Sequence, residues 1–293
     1  MALYKRSILS RACVTILVLA TFLSHVYSQI QTNNRSLFRL SPEHSLNGAF
    51  REMLRPQAKQ LLDQVERSYG REVRVKIINN ANPYLIGESL LEEDGVPEVR
   101  LNASTGCREV CIVHELFHLK LKAEGYPAII ITAGLSESQR SYFENVARVV
   151  RETIQHRAFY PEMRSMGLSP EARQVSLLRQ RIKDDRNERI SVAPDQVLSA
   201  LDYFIACLEA EDQELISQIE SFYQKKQLIW ALETGKRLVS LVNQSSPQTP
   251  EEKIELVIRC LGALFPAKVS FEVRSWLKRF DIENIVVIEV LSR

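Results

Sequence analysis

Two histidines and a glutamate stand close together in Val113-His114-Glu115-Leu116-Phe117-His118-Leu119. Two histidines four positions apart leave one face of a helix and aim at a common point, with Glu115 beside them. Imidazole nitrogens so arranged hold a divalent metal such as Zn2+, and a neighbouring carboxylate can take the proton of an attacking water. The flanks, from Val110 to Val113 and again at Leu116, Phe117 and Leu119, are apolar. Burying two imidazoles and a carboxylate among them is costly without a compensating partner such as a metal ion. A pair of core histidines satisfied by hydrogen bonds is the competing account. Cys107 and Cys111, on the same predicted helix, are read as buried thiols and not as metal ligands.

Through His114, Glu115 and His118, the HExxH pattern, the chain resembles the zincin metallopeptidases. The strand, strand, helix order leading up to the motif suits that fold. The metzincin extension needs Gly and His after the second ligand, whereas residues 119–125 read LKLKAEG, which excludes that subclass. The gluzincin-like alternative implies a glutamate third ligand on a later helix. It also implies Zn2+ as cofactor, Glu115 as general base, and a peptide or protein substrate that adds as a strand alongside residues 96–101. The expected activity is zinc-dependent hydrolysis of peptide bonds. A secreted zinc-binding or protein-interaction module without peptidase activity is the alternative.

The later helix is predicted over residues 136–160, closed by Pro161. Sorted at about 100° per residue, Tyr142, Phe143, Val146, Ala147, Val149, Val150 and Ile154 form its apolar arc. One border groups Glu144, Arg148, Arg151 and Gln155; the other groups Asn145, Glu152, His156 and Phe159. Arg148 is four residues from both carboxylates, and the order with the acid N-terminal is the better pair, so Arg148 is assigned to Glu144. Glu152 is then the expected third ligand, with Glu144 as the alternative. His156, one turn beyond Glu152, could orient a carboxylate, donate to the oxyanion or itself be the third ligand. Tyr142, Tyr160 and Arg148 are further oxyanion candidates.

The elements that must position these groups read as an α+β chain. A zincin-like N-terminal domain with a small sheet and the HExxH helix is followed by a mostly helical C-terminal region. Strands are predicted over 73–77 and 96–101, the second demoted by Pro97 to an edge strand or a shorter one. A helix interrupted by Pro56 and ended by Gly70 precedes them, the HExxH helix covers 106–122, and the apolar stretch 128–132 is of ambiguous type. Beyond Gly167 come amphipathic helices over 176–190, 194–208, 212–223, 228–242 and 251–261, then a short strand pair over 269–273 and 285–290.

Residues 1–28 read as a signal peptide: Lys5, Arg6 and Arg11 precede an apolar run over 12–23, with cleavage expected near Ser28. That run is too short to span a bilayer, so secretion without a stable membrane anchor is expected. The domains are then 29–166 and 167–293. Removing the leader takes away three cations and no carboxylate, so 35 basic residues face 36 acidic ones and the net charge falls from +2 to −1. Nucleic acid and acidic membrane are therefore unexpected partners. Cys107, Cys111, Cys207 and Cys260 permit two disulfides in an oxidising compartment, and the sequons at Asn34, Asn102 and Asn243 are read as chance matches.

Overall fold

The computed structural model describes residues 46–79, 87–103, 109–132, 136–187, 195–266 and 269–292. The predicted leader, His44, Asn34 and Cys107 lie outside them. Leu46–Met53 (α1) and Pro56–Tyr69 (α2) form the interrupted N-terminal helix pair. Pro56 takes the first turn of α2, where its missing N–H costs nothing, and Gly70 closes the helix in the left-handed conformation at φ 63°. Ala58, Leu61, Leu62, Val65 and Tyr69 bury one stripe of α2, and the Tyr69 hydroxyl donates to the carbonyl of Leu119 on the HExxH helix at 2.9 Å.

The first sheet contains Arg74–Ile78 (β1), Gly87–Leu91 (β2) and Pro97–Asn102 (β3), in the order β1-β3-β2. β3 runs parallel to β1 and antiparallel to β2, with Val75 opposite Val99 and Ser89 opposite Val99 from the other side. β3 is thus the central strand, not the expected edge. Pro97 is tolerated because it occupies the first position of the strand. β2 escaped the sequence reading because Gly87-Glu88-Ser89 carries no β-branched signal.

Glu109–Ala123 (α3) carries the motif. Ile112, Val113, Leu116, Phe117, Leu119 and Leu121 are buried around it, so the helix is enclosed on most sides. Arg55 pins its N-terminus through an ion pair to Glu109 at 3.0 Å. Beyond Gly125, the ambiguous stretch Ala128–Thr132 is a strand (β4). Glu137–Ser165 (α4) begins with a capping box in which Ser136 and Gln139 satisfy each other's backbone. Pro161 does not end α4: buried Phe159, Tyr160 and Met163 hold the last turn in the core despite the missing N–H.

The helical region comprises Ala172–Asn187 (α5), Gln196–Ile205 (α6), Gln213–Lys225 (α7), Ile229–Asn243 (α8) and Pro250–Leu264 (α9). Asp195, Asp212 and Thr249 cap α6, α7 and α9 with side-chain oxygens. The predicted continuation of α6 to 208 instead opens into a π-helical turn, Ala206–Ala210. The chain then forms Val269–Arg279 (β5) and Glu283–Ser292 (β6), longer than the expected strands. The second sheet has the order β4-β6-β5, with β6 parallel to β4 and antiparallel to β5. A strand from before residue 166 and two from after 167 therefore share one sheet. The α+β class is as expected from the sequence.

Cys207 and Cys260 are free thiols. Asn102 is fully buried in β3, where no glycan can sit. Among the described residues, no helix is long and apolar enough to cross a membrane.

Candidate metal centre

α3 presents His114, Glu115, His118 and Lys122 along one stripe, because steps of three and four residues return to the same side of a helix. α4 supplies His156 opposite them. The three histidines form the group among the described residues that could hold a metal ion, with their ligating atoms all within 4.8 Å of one another. His118 Nε2 lies 3.1 Å from His114 Nε2 and 3.3 Å from His156 Nε2.

Hydrogen bonds on the far side of two rings fix which nitrogen faces inward. His118 Nδ1 is 3.1 Å from Gln155 Oε1, and His156 Nδ1 is 2.8 Å from Glu209 Oε1. A carboxylate or amide oxygen only accepts, so both Nδ1 atoms carry the proton and both Nε2 atoms turn a lone pair toward the same point. Two such nitrogens at 3.3 Å are held together by a proton on one of them or by a cation between them. Zinc bonds of 2.0–2.1 Å at a tetrahedral angle place nitrogens about 3.3–3.4 Å apart. Three imidazole nitrogens so placed could hold a metal ion, zinc among others.

The surroundings act differently on the three donors. Burial pushes His114 and His118 well below the usual histidine range, with neighbouring histidines adding to the effect. Burial also lowers His156, but the Glu209 carboxylate outweighs it and the net displacement is upward. Tyr160 stacks on His156 with ring centroids 4.8 Å apart, and Phe159 meets all three imidazoles edge-on. These aromatics fix ring orientation and exclude water from one side of the centre.

Glu115 is 7% exposed and lies against β2, where a Cβ on Gly87 would come 3.3 Å from its Oε1. Burial pushes its carboxyl up to about 8, with the Glu152 charge contributing in the same direction. Lys122, half-buried, donates to the Ser89 carbonyl at 2.5 Å and approaches Glu283 at 3.9 Å.

The expected third ligand is placed differently. Arg148 pairs with Glu152 at 3.2 Å and not with Glu144, and Arg151 approaches the same carboxylate at 3.6 Å. Glu152 remains close enough to act electrostatically on Glu115 and His156, but the group converging with His114 and His118 is His156. Glu144 is exposed on the helix surface. The preference for an acid N-terminal to its base, worth only a few tenths of a kcal/mol, does not decide a pairing when a second cation draws the same carboxylate. Of the oxyanion candidates, Tyr142 donates to Asp195 at 3.2 Å, Arg148 is held by Glu152, and the Tyr160 ring stacks on His156.

Gln155 and Glu209 are functional neighbours that the sequence reading missed. Gln155 was grouped with a charged border, yet it is buried because α4 is covered there by α3. Glu209 stands 53 positions from its partner; its one local signal is an acid among the apolar residues Ala206, Leu208 and Ala210. No family model, curated protein or solved structure matches this chain.

Proposed function

We propose that this chain is a zinc-dependent peptidase of zincin type, with His114, His118 and His156 as metal ligands and Glu115 as general base. The observation that carries the reading is the convergence of three imidazole nitrogens beside a buried carboxyl. Three protein ligands leave a coordination position open, the mark of a catalytic zinc site as opposed to a closed structural one. Zinc, when bound, supplies a Lewis acid that polarises a carbonyl and lowers the pKa of a coordinated water.

The remaining work falls to the chain. Glu115 takes the proton of the attacking water and returns it to the leaving amine. Gln155 and Glu209 keep two imidazoles turned toward the centre. A substrate strand cannot join β3 as the resemblance implied, because β3 is already paired on both edges. β2 has one free edge among the described residues and lies against Glu115, so an extended peptide fits there.

The test is metal content and peptide-library cleavage by the full chain, with Glu115→Gln and His156→Ala. The expected result is one zinc per chain, retained with loss of cleavage in Glu115→Gln and lost in His156→Ala. Zinc without cleavage in the wild type would favour the binding-module reading. Full cleavage by Glu115→Gln would overturn the mechanism.

A further inference from the structure

Glu209 lies outside the α3–α4 pair that carries the three imidazoles, on the π-helical turn after α6. Its side chain is buried and its Oε1 accepts from His156 Nδ1 at 2.8 Å. The turn ends at Glu211, which adopts a left-handed conformation at φ 51°. A π turn spreads more residues around the axis than an α turn, which re-aims the side chains at its end. Here the re-aimed carboxylate reaches α4.

A second contact holds the same turn in place from α4. Arg164 donates to the Glu209 backbone carbonyl at 2.8 Å and approaches Glu171 and Glu211 at 3.5 Å each. Arg164 and His156 stand two helical turns apart on α4, so the π turn is gripped by backbone at one point and by carboxylate at another. That arrangement leaves Glu209 little freedom to swing away.

We infer that Glu209 is a positioning residue of the metal centre: it fixes the His156 tautomer with Nε2 unprotonated and so couples the helical C-terminal region to metal binding. The inference rests on the metal reading given above. A carboxylate behind a ligating imidazole holds ring orientation and raises ligand basicity, and its loss typically costs 10–100-fold in metal affinity. Without Glu209, His156 is free to place its proton on Nε2, where it blocks the donor. An amide at the same position accepts the Nδ1 proton but lacks the charge, so it restores orientation and not basicity.

The experiment is zinc competition against a chromophoric chelator, using the full chain as wild type, Glu209→Gln, Glu209→Ala and Glu211→Gln. Glu211, 61% exposed and paired to the same Arg164, controls for general disturbance of the turn. The expected order is wild type equal to Glu211→Gln, then Glu209→Gln, then Glu209→Ala, with the last about 10–100-fold weaker than wild type. Imidazole 15N spectra of the metal-free proteins give the independent readout. His156 should show protonated Nδ1 in wild type and Glu209→Gln, and a mixture of tautomers in Glu209→Ala. If the wild type binds zinc and all variants bind it equally tightly with one tautomer, the role of Glu209 is refuted while the metal reading stands. A wild type that binds no zinc overturns both.

Discussion

Replacing Glu115 by Gln in the metal-free protein should stabilise it, and the gain should grow with pH. The buried carboxyl is raised from an ordinary value of 4.5 to about 8, chiefly by burial. Below pH 4.5 the group is protonated in both folded and unfolded chains and costs nothing. As pH rises through 4.5 the unfolded chain ionises first, so stability is lost progressively until the folded group ionises near 8. At about 1.4 kcal/mol per pH unit, the loss is about 1 kcal/mol at pH 5 and about 3 kcal/mol at pH 7. It approaches about 5 kcal/mol above pH 8. Glutamine keeps the shape and carries no charge, so it escapes this cost while other titrating groups cancel in the comparison. Urea unfolding of both proteins with a chelator present, at pH 5, 6, 7 and 8, gives the difference directly. A gap that is constant or that shrinks as pH rises refutes the assignment of a neutral, desolvated Glu115.

Arg100→Met should destabilise the chain by about 2 kcal/mol in urea unfolding, since Glu98, fully buried, keeps Lys76 at 2.6 Å but loses the Arg100 Nε at 2.7 Å. Although burial pushes the Glu98 carboxyl up, the hydrogen bonds from Lys76 and Arg100 outweigh it and hold it below the ordinary range. The stabilisation is therefore present above the ordinary pKa and lost as pH falls through the folded value, so an Arg100→Met cost that does not shrink in acid would contradict the pairing. Gly87→Ala would set a methyl 3.0 Å from the Arg100 carbonyl and 3.2 Å from Glu115 Cγ. We expect unchanged zinc content and at least a tenfold drop in peptide hydrolysis, read from initial rates, whereas Gly48→Ala, which meets nothing within 4 Å, should behave as wild type in both.

The α3 half of the centre was legible because its geometry is local. His114 and His118 share a face by helix periodicity alone, and Glu115 follows from the same arithmetic. The α4 half was half legible. Periodicity put Glu152 and His156 on one border, but their roles depended on which carboxylate Arg148 would take, and that was decided by Arg151 and by the cover that α3 lays over Gln155. Glu209 was invisible, since nothing local brings a residue 53 positions away onto an imidazole. Strands rich in β-branched residues were readable, and Gly87–Leu91 was not, because its place depends on pairing with β3. Pro161 misled for a related reason: the rule that proline stops a helix yields when Tyr160 before it and Met163 beyond it are held in the core.

The parallel pairing of β4 with β6 has a consequence for the birth of the chain. Ala128-Ile129-Ile130-Ile131-Thr132 meets its partner strand only when residues 285–289 have been made, and the Asn284 side chain closes onto the Gly125 carbonyl across 159 positions. At cellular elongation rates that interval is on the order of ten seconds. Throughout it, three consecutive isoleucines wait on the ribosome with both strand edges unpaired, the signature of a segment that seeks other chains. Yield in the cell should therefore depend on how fast the codons between β4 and β6 are read and on whether a chaperone holds this strand in the meantime.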